Sequence, residues 1–306
     1  MNRIFALFLF SAALLAQSCQ SDKQKLQQEI AQMETQLEAA SSTELANNLI
    51  DKYLAYVAAY PEDADTDARF LYRAAGVNYR QGRYQMAADL LEQALKEYYA
   101  SENTPASALL LGTILKENLK KTEAATTVFQ SIKQAFPGFE EAKTETDQLD
   151  PSLPAISQRM GALLQQLSSD SLGRVNFQAA NDYILNCEML AVVQPNAEVA
   201  PQLLYKAGEV AGSIGAYEKA IDLFDWIYNK YPDYEKAPLA LFMKAFTLDN
   251  NMKNIDAARP VYEEFLAKYP DNDFARDAKI LLENLGKSDE EIFNSFTKGA
   301  QEGETE

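Results

Sequence analysis

Apolar residues recur at intervals of three and four along most of this chain, and the pattern is written twice. Leu71-Tyr-Arg-Ala-Ala75 and Leu204-Tyr-Lys-Ala-Gly208 stand 133 residues apart. Each is followed by Gly-x-Tyr-x-x-Ala, with Gly82, Tyr84 and Ala87 in the first copy and Gly215, Tyr217 and Ala220 in the second. A further periodic segment begins near Pro105 and is answered by one near Pro238. Repeats of this spacing predict pairs of helices that stack, each burying its apolar face on its neighbours. The residue types explain the pattern. Ala207, Gly208 and Ala220 are small and let paired helices approach closely, while Phe224 and Tyr228 fill the space between pairs. Gly215 makes the turn, and Pro232 stops the second helix from continuing.

The remaining copies depart from this pattern by degrees. Residues 68–101 carry Tyr99 where a proline would stand, and residues 105–138 lack the turn glycine. Residues 239–272 have Phe246 in place of a small residue, which predicts looser or rotated helix packing there. Pro260 falls about one turn into the second helix of that pair and predicts a late start or a bend. Aromatic-proline junctions at Tyr60-Pro61, Phe136-Pro137, Tyr231-Pro232 and Tyr269-Pro270 end four helices. Ser41-Ser42-Thr43-Glu44 is a helix-start signal opening a helix with Leu45, Leu49, Tyr53, Tyr56 and Val57. Asn176 to Val193 holds the same place in the second half, so each half reads as one lone helix plus two pairs.

These signals divide the chain into 1–18 (an export signal, below), 19–42, a first half at 43–138, a connector at 139–174, a second half at 175–286 and a tail at 287–306. Within 19–42, Leu26, Ile30, Met33 and Leu37 show seam spacing for barely two heptads, too short for a coiled coil. That segment is a tether or a helix capping the array. The connector is broken by Asp150-Pro151 and Leu153-Pro154, then carries a short helix around Ile156 to Leu167 and a loop at Ser168 to Gly173. Ser288 to Glu291 restarts a last helix, and the tail from Lys298 is expected to fray.

From Leu204 through Ala207-Gly208, Ala211, Gly215, Tyr217, Ala220, Phe224 and Ile227-Tyr228 to Pro232, the intervals are those of the tetratricopeptide pattern. Leucine stands in the tryptophan slot and alanine in the first tyrosine slot. This segment resembles the tetratricopeptide repeat family. The resemblance implies an all-α fold: a tetratricopeptide-type α-solenoid of antiparallel helix pairs, about four pairs plus lone and capping helices. Tyr-Pro-Asp with Ala237 or Ala275 a few residues on is similar to repeats of periplasmic and outer-membrane bacterial lipoproteins, among them the barrel-assembly and Tol–Pal-associated families. That likeness spans roughly residues 43–138 and 176–285.

Composition narrows the function. An apolar content of 47% is that of a globular chain, and the net charge is −17, with 45 acidic against 28 basic residues. Nucleic acid is thereby disfavoured as a partner, because phosphate binding needs a basic face. No histidine is present, which removes the commonest general base and the commonest metal ligand. No phosphate-cradling glycine loop, nucleophile elbow or metal-ligand cysteine spacing occurs, so no catalytic residue, metal or cofactor is assigned. The acidic pairs Glu263-Glu264 and Glu290-Glu291 point apart on a helix and read as solvated surface. Cys187 reads as a buried thiol and Trp226 as interhelix packing. The other cysteine, Cys19, follows Asn2-Arg3, an apolar run from Ile4 to Ala16, and Ser18. That run is too short to span a bilayer permanently. It resembles a bacterial lipoprotein signal with Cys19 as the acylated residue, although Gln17 departs from the usual small residue. A plain secretory signal is the other reading.

One cluster stands out in so acidic a chain. The resemblance places the first helix of each pair along a concave groove, and the positions that map there are Arg69, Tyr72, Arg73, Tyr79 and Arg80, extended by Lys116, Tyr205 and Lys206. Arginine forks suit carboxylates and aromatic rings stack flat groups, as in the family's peptide-carboxylate clamps. The bland reading is that these cations neutralise neighbouring acidic helices. The expectation is a lipid-anchored, extracytoplasmic scaffold without catalysis, at the outer membrane or periplasmic face. It would bind other envelope proteins or peptides in envelope or outer-membrane assembly. A glycan- or peptidoglycan-binding surface lipoprotein is the alternative.

Overall fold

The computed structural model describes residues 22–40, 42–167, 175–288 and 290–291. Two compact units divide the chain between Leu153 and Pro154. The export signal, Cys19, the Ser168 to Gly173 loop and the tail from Lys298 lie outside the described residues.

In the first unit α1 (22–39), α2 (Thr43–Ala59), α3 (Ala64–Arg80), α4 (Tyr84–Glu97), α5 (Thr104–Thr113), α6 (Thr122–Ala135) and α7 (Lys143–Asp147) follow in order. From α2 to α7, each helix packs on the next. Ser42 caps α2 by accepting the Leu45 N–H at 3.2 Å. Helix α1 lies antiparallel on α2. Lys23 reaches Asp63 beyond the end of α2 (2.9 Å), Gln27 donates to the Tyr56 hydroxyl (2.8 Å), Lys52 donates to Glu29 (2.7 Å), and Tyr53 donates to Glu34 (2.5 Å). Of the α1 apolar stripe Ile30 is buried, while Leu26, Met33 and Leu37 pack at the edge of a cluster built on Leu49, Tyr53, Tyr56, Phe70 and Leu71. The helix expected as a tether or cap therefore supplies α2 with a partner, and this unit holds three pairs.

The second unit repeats the plan with α8 (Ile156–Gln165), α9 (Phe177–Val193), α10 (Ala200–Ser213), α11 (Tyr217–Lys230), α12 (Ala237–Phe246), α13 (Ile255–Lys268) and α14 (Ala275–Asn284). Helix α8, read as part of the connector, packs on α9, so the helix expected to stand alone here is paired as well. Phe242, Tyr262 and Phe265 centre the far core, which α14 closes through Ala278. Beyond α14 the Ser288 N–H donates to Glu291 (2.8 Å) and the Glu291 N–H donates back to the Ser288 hydroxyl (3.3 Å), a reciprocal helix-start cap.

Irregularities repeat in register as well. Of the two turns that close the later helix pairs of each unit, the first uses a left-handed glycine, Gly82 at φ 73° and Gly215 at φ 78°. The second turn lacks glycine because the preceding helix ends in a π turn, Ile114–Asn118 in one unit and Thr247–Asn251 in the other. There the Leu119 N–H reaches the Ile114 carbonyl (3.0 Å) and the Met252 N–H reaches that of Thr247 (3.1 Å). A π turn absorbs one extra residue, and Lys120 (φ 57°) and Lys253 (φ 54°) then take the left-handed position. The same register corrects the expectation at Phe246. Fully buried Ala245 stands where the other unit has Gly112, and Phe246 lies beside that slot, stacked on Phe242 at 6.3 Å. Helix α13 starts on time, with Asn254 accepting the Ala257 N–H (3.2 Å), and runs through Pro260 at the cost of one bond to the Asp256 carbonyl.

Candidate functional site

The first unit encloses a cavity of about 900 Å³ where the far ends of α1 and α3 meet the start of α2. Three successive helical rows supply its walls. Tyr72, Arg73, Gly76 and Arg80 enter from one face of α3, at the spacing that aligns residues on a helix. The opposite face of α3 buries Phe70, Leu71, Ala74 and Ala75 in the core. Glu34, Leu37 and Glu38 come from α1, Leu49 and Tyr53 from α2, and Arg83 from the turn after α3. A Cβ at Gly76 would meet the Arg80 guanidinium at 3.7 Å, an ordinary contact.

Its charges are unequally used. Arg73 is paired with Glu34 at 2.5 Å, and that carboxylate also takes the Tyr53 hydroxyl. Burial, and then Glu34 itself, push the Tyr53 phenol well above its ordinary range. Arg80 is exposed and, among the described residues, meets no acceptor; Glu38 is likewise free. Arg83 donates from Nη1 to Asn47 (2.8 Å), but its Nε and Nη2 are buried and meet no acceptor among the described residues. Those two N–H groups form the side-on edge of a guanidinium, the edge that takes a carboxylate in bidentate fashion.

Of the residues expected from sequence, Tyr72, Arg73 and Arg80 come together here, and the others do not. Arg69 lies over the Phe70 ring (5.5 Å) with Thr66 beside it, and Tyr79 packs edge-on against Tyr84 (5.6 Å). Lys116 is taken by Glu145 of α7 at 2.6 Å. Tyr205 is buried against Phe224 (5.7 Å), which removes it from any open surface, and Lys206 pairs with Glu209 at 2.9 Å. The register of 133 makes the contrast plain: Arg80 corresponds to Ser213, Arg83 to Ala216 and Gly76 to Glu209. Glu34, Glu38 and Arg83 escaped sequence reasoning. Arg83 carried a usable signal as an arginine after the turn glycine with alanine in its copy; Glu34 and Glu38 carried none, because the apolar stripe of α1 does not say which helix it packs on.

At the other end of α3, Asp67 is fully buried. Burial, and then the nearby Asp63 carboxylate, push its carboxyl up to about 6. Asp63 itself is raised by burial, but hydrogen bonds from Tyr56 and Lys23 outweigh that and hold it down to about 2.

Among known families, the tetratricopeptide repeat model matches residues 239–272, which run from the third residue of α12 through its π turn and α13. No curated protein sequence matches the chain. The match and the paired helices define an all-α protein of tetratricopeptide-type solenoid architecture, a kind of array that serves as a protein-interaction scaffold and is typically non-catalytic. No described helix is long and apolar enough to cross a membrane.

Proposed function

We propose that this protein is a non-catalytic scaffold of the bacterial cell envelope, anchored by lipid at Cys19, whose first unit binds an extended acidic segment of a partner protein in the α1–α3 cavity. The carrying observation is the unused guanidinium edge of Arg83 beside the unpaired Arg80. Neutralisation of acidic neighbours accounts for Arg73, Lys116 and Lys206, each paired with a glutamate. It does not account for Arg80 or Arg83. Buried donors without an acceptor cost stability, and a carboxylate that enters with a small side-chain shift relieves that cost. Leu37, Leu49 and Val77 offer apolar contact to neighbouring residues of the same segment. A glycan platform finds less support, because Tyr53, Tyr79 and Tyr205 are already packed against other rings.

A role in envelope or outer-membrane assembly, at the outer membrane or periplasmic face, follows from the resemblance of the repeats and of the signal. The test places a photo-cross-linking residue at Tyr72 in cells. Discrete protein adducts should form, and Arg80→Gln with Arg83→Gln should weaken them about tenfold, the loss of one charge-assisted bidentate contact. Adducts unchanged in the double variant would refute the cavity as the binding site. For the anchor, Cys19→Ala should release the protein from membranes; a variant that still sediments with them refutes lipid attachment.

A further inference from the structure

We infer that the first unit stands end-on against the membrane surface, with the start of α1 and the α2–α3 turn toward the lipid and the cavity opening at the far end of α1. This rests on lipid attachment at Cys19, proposed above. Its own basis is the docking of α1. The helix begins at residue 22 and is fixed to the body by buried Ile30, by Lys23 to Asp63 (2.9 Å), by Gln27 to Tyr56 (2.8 Å) and by Glu29 to Lys52 (2.7 Å). It is therefore a wall of the first pair and not a free stalk. Three Cα–Cα steps separate Cys19 from residue 22, so even a fully extended chain holds them within about 11 Å. A ten-residue flexible linker would by comparison add an end-to-end distance of about 17 Å.

The apposed rim carries Lys23, Lys25, Tyr60 and Pro61 together with Asp22, Glu62 and Asp65. Lys23 sits over the Tyr60 ring at 5.4 Å. Such a rim tolerates headgroups but has no net attraction to anionic lipid. The anchor supplies proximity, while the acidic excess of the first unit itself, 21 acidic against 13 basic residues over 22–153, disfavours laying it flat. At 1.5 Å rise per residue, Glu34 and Glu38 lie about 18 and 24 Å along the α1 axis from residue 22. The cavity thus opens within about 35 Å of the acylated residue. The partner it fits is a segment emerging close to the bilayer from a membrane-embedded envelope protein.

The experiment uses the full acylated protein in vesicles of phosphatidylethanolamine and phosphatidylglycerol containing a headgroup-quencher lipid. Single reporters are attached at Glu62→Cys or Glu38→Cys; Cys187 is fully buried and stays unlabelled. Quenching should be several-fold stronger at position 62 than at 38. Ten Gly/Ser residues inserted between Gln20 and Ser21 should bring position 62 down to the level of 38. Equal quenching at both sites, stronger quenching at 38, or an effect at 62 that survives the insertion would each overturn the end-on placement. An intact mass without acyl chains refutes lipid attachment, and this placement with it, while leaving the cavity reading untouched.

Discussion

Asp67→Asn tests the energetics of the first unit most directly. Asp67 sits in the first turn of α3 with no exposed surface, and no donor reaches either carboxylate oxygen within hydrogen-bonding distance. The Tyr98 hydroxyl is near enough to favour the ionised form, but burial and Asp63 prevail, raising the carboxyl from 3.8 to about 6. A raised acid binds its proton more tightly in the folded state than in the unfolded one. Between the two values the folded state therefore holds the extra proton, and stability falls as pH rises from about 4 through about 6, then levels off. Two units at 1.36 kcal/mol each set a ceiling of ~3 kcal/mol, and because the unfolded carboxyl is already about half ionised at pH 4, the change between pH 4 and pH 8 is about 2 kcal/mol. Asparagine removes the charge but buries an amide that needs its own partners, a pH-independent cost of about 1–3 kcal/mol. The decisive quantity is thus the change in the variant-minus-parent difference between pH 4 and pH 8, in which that cost cancels. Urea unfolding read by pulsed hydrogen exchange at α3 peptides should show the difference shifting by about 2 kcal/mol in favour of Asn at pH 8. Asp63, held near 2, stays ionised in the folded state, and its own contribution cancels in the variant-minus-parent difference. Parallel stability curves for the two proteins from pH 4 to 8 would refute the reasoning.

Four further outcomes follow from packing and backbone geometry. Gly208→Ala should destabilise the second unit by about 1–3 kcal/mol in urea titration, because its Cβ would lie 2.7 Å from a carbon of the Phe224 ring. Gly212→Ala, one helical turn on with nothing within 4 Å, should instead be neutral or stabilising by about 0.5 kcal/mol. Lys120→Gly should raise stability by about 0.5–1 kcal/mol by relieving the left-handed backbone at φ 57°, and a drop in melting temperature would count against the strain. Cys187, fully buried with its thiol pushed up by burial, should react with a maleimide only at the rate at which the second unit opens.

How much of this was legible depended on whether a feature had an apolar signature. The helix pairs from Leu71 and Leu204 onward announced themselves through small residues, turn glycines and aromatic-proline stops, each of which does a steric job that few residue types can do. Helix α1 was read as a tether or cap because its apolar stripe of Leu26, Ile30, Met33 and Leu37 runs for barely two heptads, and the polar contacts of Lys23, Gln27, Glu29 and Glu34 that fix it on α2 leave no periodic trace. Because that reading gave the helix no docking face, it also hid the partner of Arg73. The misplaced register at Phe246 has a different cause: a π turn adds a residue without any characteristic side chain, so a spacing count slips by one. Of the expected groove cluster, the residues that proved to share a cavity, Tyr72, Arg73 and Arg80, all lie on one stripe of one helix. Arg69 and Tyr79 sit on the same helix but face Phe70 and Tyr84, a difference of angle that only packing decides.

The π turns at Ile114–Asn118 and Thr247–Asn251, each followed by a left-handed lysine, sit at the same register in both units. An irregularity shared to the residue is the mark of one frame copied twice. The second unit is consequently a built-in reference for the first. Every difference between them is a change made after copying on an otherwise common frame. Arg80 against Ser213, Arg83 against Ala216 and Gly76 against Glu209 then become a record of divergence. Transplanting those three positions from one unit to the other would move the charge pattern without disturbing the helices that carry it.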